Sequence, residues 1–256
     1  MRSDRVTKIQ ARWDELDLTR KTLAWLVHLY TVSGGILGMA ALFSAAFGET
    51  RLAFFLLIAS MVIDSTDGIL ARAANVTEVL PNFSGAQVDD AVDVLTFIFV
   101  PIFIIGYQQL LPHPLWLVVP IVAGLYAYGQ VDMKTEDNFF RGFPSYWNII
   151  ALYMYWLRPE GIWAVLMVVI PAILTFIPTR YLYPSRNSLY WKTSWFLGGT
   201  WLIFIVVLLW NDPPDPLYVW LSTYFPFYYL VMSFYVDWKL RRKSRREEAQ
   251  HTTGAG

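Results

Sequence analysis

The chain has 256 residues, with 20 Lys and Arg balancing 20 Asp and Glu, and it contains no cysteine. Apolar residues make up 56% and aromatic ones 17%, with a mean hydropathy of +0.40, the composition of a polytopic membrane protein. This excludes a disulfide framework, a zinc–thiolate site and a cysteine nucleophile; with zero net charge, no nucleic-acid partner is expected.

Residues 1–21 are polar and carry Arg2, Arg5, Lys8, Arg12, Arg20 and Lys21. They lack the basic start, short apolar core and small-residue cleavage site of a signal peptide. Val6, Ile9, Trp13 and Leu16 suggest an amphipathic helix lying on the membrane surface. Apolar segments then follow at about 22–46, 51–74, 86–110, 114–131, 145–158, 160–180, 193–210 and 216–237. The expected fold is an all-α integral membrane bundle of about eight transmembrane helices, with 22–237 as its membrane domain. The fifth segment is short for the roughly 20 residues a span needs, and it is flanked by Pro144 and Pro159. Residues 238–256 read as a basic, disordered tail, with KLRRKSRR at 239–246 suited to anionic headgroups.

An even number of spans puts both termini on one side. With the termini inside, 18 of the 20 Lys and Arg lie in cytosolic segments or at their edges, and only Arg51 and Arg158 face out. The positive-inside rule therefore selects cytosolic termini.

The second and third segments hold the chemistry. They read Asp64-x-x-Asp67-Gly68-x-x-Ala71-Arg72, then twelve residues, then Gly85-x-x-x-Asp89-x-x-x-Asp93. A carboxylate within the bilayer costs at least about 2.5 kcal/mol, so it is a functional candidate by default. At 100° per residue, the five named positions of the first half fall within an arc of roughly 140°. Gly85, Asp89 and Asp93 form a narrow i, i+4, i+8 stripe. Two antiparallel helices can thus turn four carboxylates into one pocket. One divalent cation, or two, would remove the conflict between like charges, and all-oxygen ligation suits Mg²⁺, Mn²⁺ or Ca²⁺. Gly68, Ala71 and Gly85 leave backbone open to a large ligand. Arg72 is placed for a phosphate. Asp90 points roughly 100° away from Asp89 and reads as a surface or capping residue. In the first span, His28 reads as a packed polar residue, and Thr31 and Ser33 as possible neighbours of a nucleotide.

These residues resemble the signature of the CDP-alcohol phosphotransferase family, with every named position matched. The gap between Arg72 and Gly85 is longer than the family's usual one. It is similar to that of the bacterial subgroup that makes phosphatidylcholine, as is Phe140-Arg141-Gly142-Phe143-Pro144-Ser145-Tyr146-Trp147-Asn148. The resemblance implies a bacterial inner-membrane enzyme, and a homodimer, that transfers the phosphatidyl group of CDP-diacylglycerol to choline and releases CMP. It implies Asp64, Asp67, Asp89 and Asp93 as metal ligands for Mn²⁺ or Mg²⁺, two ions in all. Asp93 would also be the general base. Asp64, Gly68, Ala71, Arg72 and Gly85 would bind the CDP and phosphate portion.

Choline is a quaternary ammonium, which aromatic faces attract. Tyr146, Trp147, Tyr190 and Trp191 fall at cytosolic ends and are the expected rings; the alternative is an ordinary interfacial aromatic belt. Two other functions stand beside this reading. One is a sibling transferase using serine, glycerol phosphate or inositol phosphate. The other, from a different class, is a cation or choline transporter, because membrane carboxylates also line ion pathways.

Overall fold

A computed structural model of the protein describes residues 17–135, 137, 139–183, 190–211 and 213–253. The surface helix expected within 1–21 falls largely outside them. The described chain is mostly helical, and it forms two compact units, Met1–Tyr107 and Gln108–Gly256. Among the described residues, three helices are long and apolar enough to cross a membrane: Leu18–Ala46, Thr50–Ala73 and Trp191–Trp210.

The first unit contains α1 (Leu18–Ala46), α2 (Thr50–Ala73), a single turn α3 (Val76–Val79), α4 (Gly85–Asp93) and α5 (Val100–Tyr107). Helix α1 packs along α2, α4 and α5. Small residues permit this approach. A Cβ on Gly34 would sit 3.3 Å from Ser60 Oγ, and one on Gly38 would sit 2.6 Å from Thr96 Cγ2. Ser60 Oγ also donates to the Gly34 carbonyl at 3.0 Å. This is close helix packing through small residues, with a hydroxyl bonded across. The loop after α2 folds back under α1, where Ala24, Val27, Val76, Val79 and Leu80 form an apolar cluster.

Ser84 starts α4. Its hydroxyl accepts from the Gln87 amide at 3.3 Å, and Ser84-x-x-Gln87 has the spacing of a capping box. Between α4 and α5 the helix does not break but widens into a π turn at Val94–Phe99. Pro101 supplies a cause: it lacks an N–H, and in regular α geometry its ring would press on the carbonyl four residues back. The third apolar segment is therefore one continuous helical stretch whose register changes directly after Asp93.

The second unit contains a 3₁₀ turn (Pro114–Leu117) leading into α6 (Val118–Gly129), then β1 (Phe139–Arg141), α7 (Trp147–Leu157), α8 (Gly161–Phe176), β2 (Arg180–Leu182), α9 (Trp191–Trp210), α10 (Pro216–Ser222) and α11 (Tyr224–Thr253). The antiparallel pair β1–β2, in register Phe139 with Leu182 and Arg141 with Arg180, is not expected from the apolar pattern. It lies against α11. The Leu182 amide donates to Ser233 Oγ at 3.1 Å, and Tyr229 Oη donates to the Leu182 carbonyl at 2.8 Å. Asp237 accepts from the Arg180 amide at 3.2 Å and from Arg241 Nε at 2.7 Å. Helical backbone also continues through the basic stretch to Thr253, where a disordered tail is expected from 238. Lys, Arg, Glu, Ala and Gln are good helix formers, so the end of the apolar run is no reason for the helix to stop.

Candidate active site

Helices α2 and α4 bring the motif together within the first unit. One carboxylate oxygen from each of Asp64, Asp67 and Asp89 lies within 4.8 Å of the others, and so do oxygens from Asp89, Asp90 and Asp93. Asp89 belongs to both groups. Asp67 and Asp93 are buried at 6% exposure each. Asp90, read from spacing as a bystander, is exposed but reaches the second group. The reason lies in side-chain reach: a 100° offset separates the Cα directions, yet adjacent carboxylates can still swing towards one ion.

The donor set fits a divalent cation. Two three-carboxylate groups with a common member are hard, all-oxygen and multiply charged, which suits Mg²⁺ or Mn²⁺. Asp67 is held from the neighbouring helix, where Thr31 Oγ1 donates to its Oδ2 at 2.7 Å. Thr31 is thus tied to the carboxylate layer itself. Tyr30 Oη and Thr66 Oγ1 meet at 2.9 Å one residue away on each helix. Ser33 instead donates to the Tyr30 carbonyl at 2.6 Å, within its own helix.

The small motif residues have different surroundings. Ala71 packs on the apolar cluster beneath α1. A Cβ on Gly68 would meet only the guanidinium of Arg72, at 3.3 Å. Arg72 is exposed and its head is the flexible end of a long side chain, so the space over Gly68 opens when that head moves. Gly85 is different, since a Cβ there would sit 2.6 Å from Cε1 of His28.

Of the four rings expected to meet an ammonium group, Trp147 is fully buried and edge-on to Phe143 at 6.3 Å. Tyr146 packs on Phe143 and Tyr229 at 6.3 and 5.6 Å. Tyr190 and Trp191 are exposed at 37% and 49%, and the Lys192 ammonium lies 5.7 Å from the Trp191 ring centre. Tyr181, on β2, packs on Phe143 and Tyr229 in the same cluster. Burial, with Asp237 nearby, pushes its phenol up to about 12. Gly142 in this segment is required by the backbone. Its φ is +80°, and a Cβ would sit 2.3 Å from the Thr175 carbonyl oxygen.

The family described as CDP-alcohol phosphatidyltransferase matches this chain over residues 25–228, a stretch that includes the whole carboxylate motif. The phosphatidylcholine synthase of Legionella pneumophila is 36% identical over 226 residues, covering 83% of this chain and 88% of its own length. That of Pseudomonas aeruginosa is 35% identical over 198 residues, covering 76% and 83%. That of Borreliella burgdorferi is 32% identical over 169 residues, covering 65% and 72%.

Proposed function

The chain belongs to the CDP-alcohol phosphatidyltransferase family, and from that premise we propose that it transfers the phosphatidyl group of CDP-diacylglycerol to choline, giving phosphatidylcholine and CMP. The observation that carries this reading is the meeting of Asp64, Asp67 and Asp89 within 4.8 Å in a chain whose relatives bear that name.

In this reading Asp64, Asp67 and Asp89 hold the cation, and Asp93 contributes to a second, through Mn²⁺ or Mg²⁺. Bound there, such ions would neutralise the pyrophosphate oxygens and the charge that develops on CMP. Thr31 keeps Asp67 in place. Arg72, exposed in the last turn of α2, takes a phosphate oxygen. Asp93 accepts the proton of the choline hydroxyl as that oxygen attacks the phosphorus bearing diacylglycerol. A phosphorus–oxygen bond to choline forms, the one to CMP breaks, and CMP leaves with the electron pair. Tyr146, Tyr190 and Trp191 are the accessible rings among those proposed for the ammonium group, while full burial gives Trp147 a packing role. The rest of the reading is an inner-membrane homodimer with eight spans and cytosolic termini, supported by the 18-to-2 division of basic residues.

The test is purified protein with CDP-diacylglycerol and a panel of radiolabelled alcohols. CMP release with choline is expected. Preference for serine or a polyol phosphate would replace the acceptor, and choline flux without CMP release would make the protein a transporter. For topology, a cysteine replacing Asn75 should react with an impermeant thiol reagent only in inside-out vesicles.

A further inference from the structure

His28 has a ring nitrogen that packing does not explain. It is buried at 5% exposure on the inner face of α1. Its ring meets Phe83 at 4.4 Å and Trp25 at 5.9 Å, contacts that an apolar side chain would make equally well. Its Nε2 is buried without a hydrogen-bond partner. An unsatisfied buried polar atom costs about 1–3 kcal/mol, so the imidazole is an expensive way to fill that space.

Its location explains the nitrogen. His28 precedes Thr31 by three residues on the same face of α1, and Thr31 is bonded to Asp67. Gly85, which His28 touches, precedes Asp89 by four residues on α4. The His28–Gly85 contact is therefore one helical turn, roughly 5 Å, to the loop side of the layer formed by Thr31, Asp67 and Asp89. A pyrophosphate bound at that layer would extend its nucleoside past this level. Gly85 is small here because the His28 ring occupies the position of its Cβ, not because the ligand does.

We propose that His28 is a binding residue for the CDP portion of the donor. Its Nε2 hydrogen-bonds the bound nucleotide, and its ring seats the start of α4 through Gly85. This rests on the donor reading given above.

The test uses the isosteric pair His28→Gln and His28→Met in the full-length, metal-supplemented protein. Binding of CDP is measured by equilibrium dialysis, and donor KM and kcat by CMP release. Loss of the hydrogen bond, which leaves a polar atom of the nucleotide unpaired, should raise the CDP Kd about 10-fold in the Met variant, and the donor KM with it. The Gln variant, which keeps a nitrogen at the same reach, should stay within about threefold of wild type, and kcat should hold within about threefold in both. Equal affinities in Met, Gln and wild type would overturn the assignment. Wild-type protein that neither binds CDP nor releases CMP would overturn the donor reading, and this assignment with it. The seating role is read from thermal stability. Gly85→Ala should lower Tm, and His28→Ala should recover most of that loss in the double variant. An equal Tm loss with His or Ala at position 28 would show that Gly85 does not serve the ring.

Discussion

The two units differ in the charge of the polar groups they bring together. In the first, carboxylates of like charge crowd within 4.8 Å at one end of a helix pair, an arrangement that costs stability until a cation arrives. In the second, hydrogen bonds between neutral groups and one paired carboxylate join elements, beside buried atoms such as Trp147 Nε1, Trp156 Nε1 and Tyr181 Oη that have no hydrogen-bond partner. Tyr153 Oη lies 2.9 Å from Ser222 Oγ and accepts from Trp201 Nε1 at 3.2 Å, and Asp237 ties β2 to α11. Hydrogen bonds between elements build a scaffold; like charges brought together mark a site for a cation.

The sharpest way to break that contrast is to neutralise the conflict. Asp64→Asn, Asp67→Asn or Asp89→Asn should reduce CMP release to background, while Tm measured without metal stays level or rises because repulsion is relieved. Excess EDTA should do the same to the wild type. Full turnover in EDTA would remove the metal from the reaction.

Asp93→Asn comes next. Its rate should fall by about 10²–10⁴, the range for a general base, while CDP-diacylglycerol affinity stays within about tenfold, or 1.4 kcal/mol. Equal large losses in both would make Asp93 a metal ligand first.

The second unit should respond in the other currency. Gly142→Ala forces a methyl against the Thr175 carbonyl at positive φ and should cost about 3 kcal/mol of stability. Asp237→Asn should cost about 1–3 kcal/mol. In both, the folded fraction should keep its donor KM. If Asp237→Asn instead raised the donor KM at unchanged Tm, the division of labour between the units would be wrong.

The smallest effect belongs to the acceptor rings. Replacing Tyr146, Tyr190 or Trp191 by Leu should raise choline KM about 5- to 30-fold for the ring that holds the ammonium, with donor KM unchanged. If all three raise neither KM, the ammonium is bound by other rings, and the part-exposed Tyr183 is the next to test.

The carboxylate faces were legible in the sequence because a helix converts spacing directly into a face. Spacing puts Asp64 with Asp67 on one helix face and Asp89 with Asp93 on another, and the apolar runs mark helices wherever they occur. Asp90 escaped because a Cα direction does not limit where a carboxylate can reach. The features decided by tertiary structure alone involve residues far apart in the chain. Thr31 bonds Asp67 across 36 positions, His28 determines why residue 85 is glycine, and Phe139 pairs with Leu182 in a sheet no apolar pattern announces. Periodicity reports which way a residue faces along its own helix axis. It carries no information about which helix stands opposite, because that is set by close packing between segments.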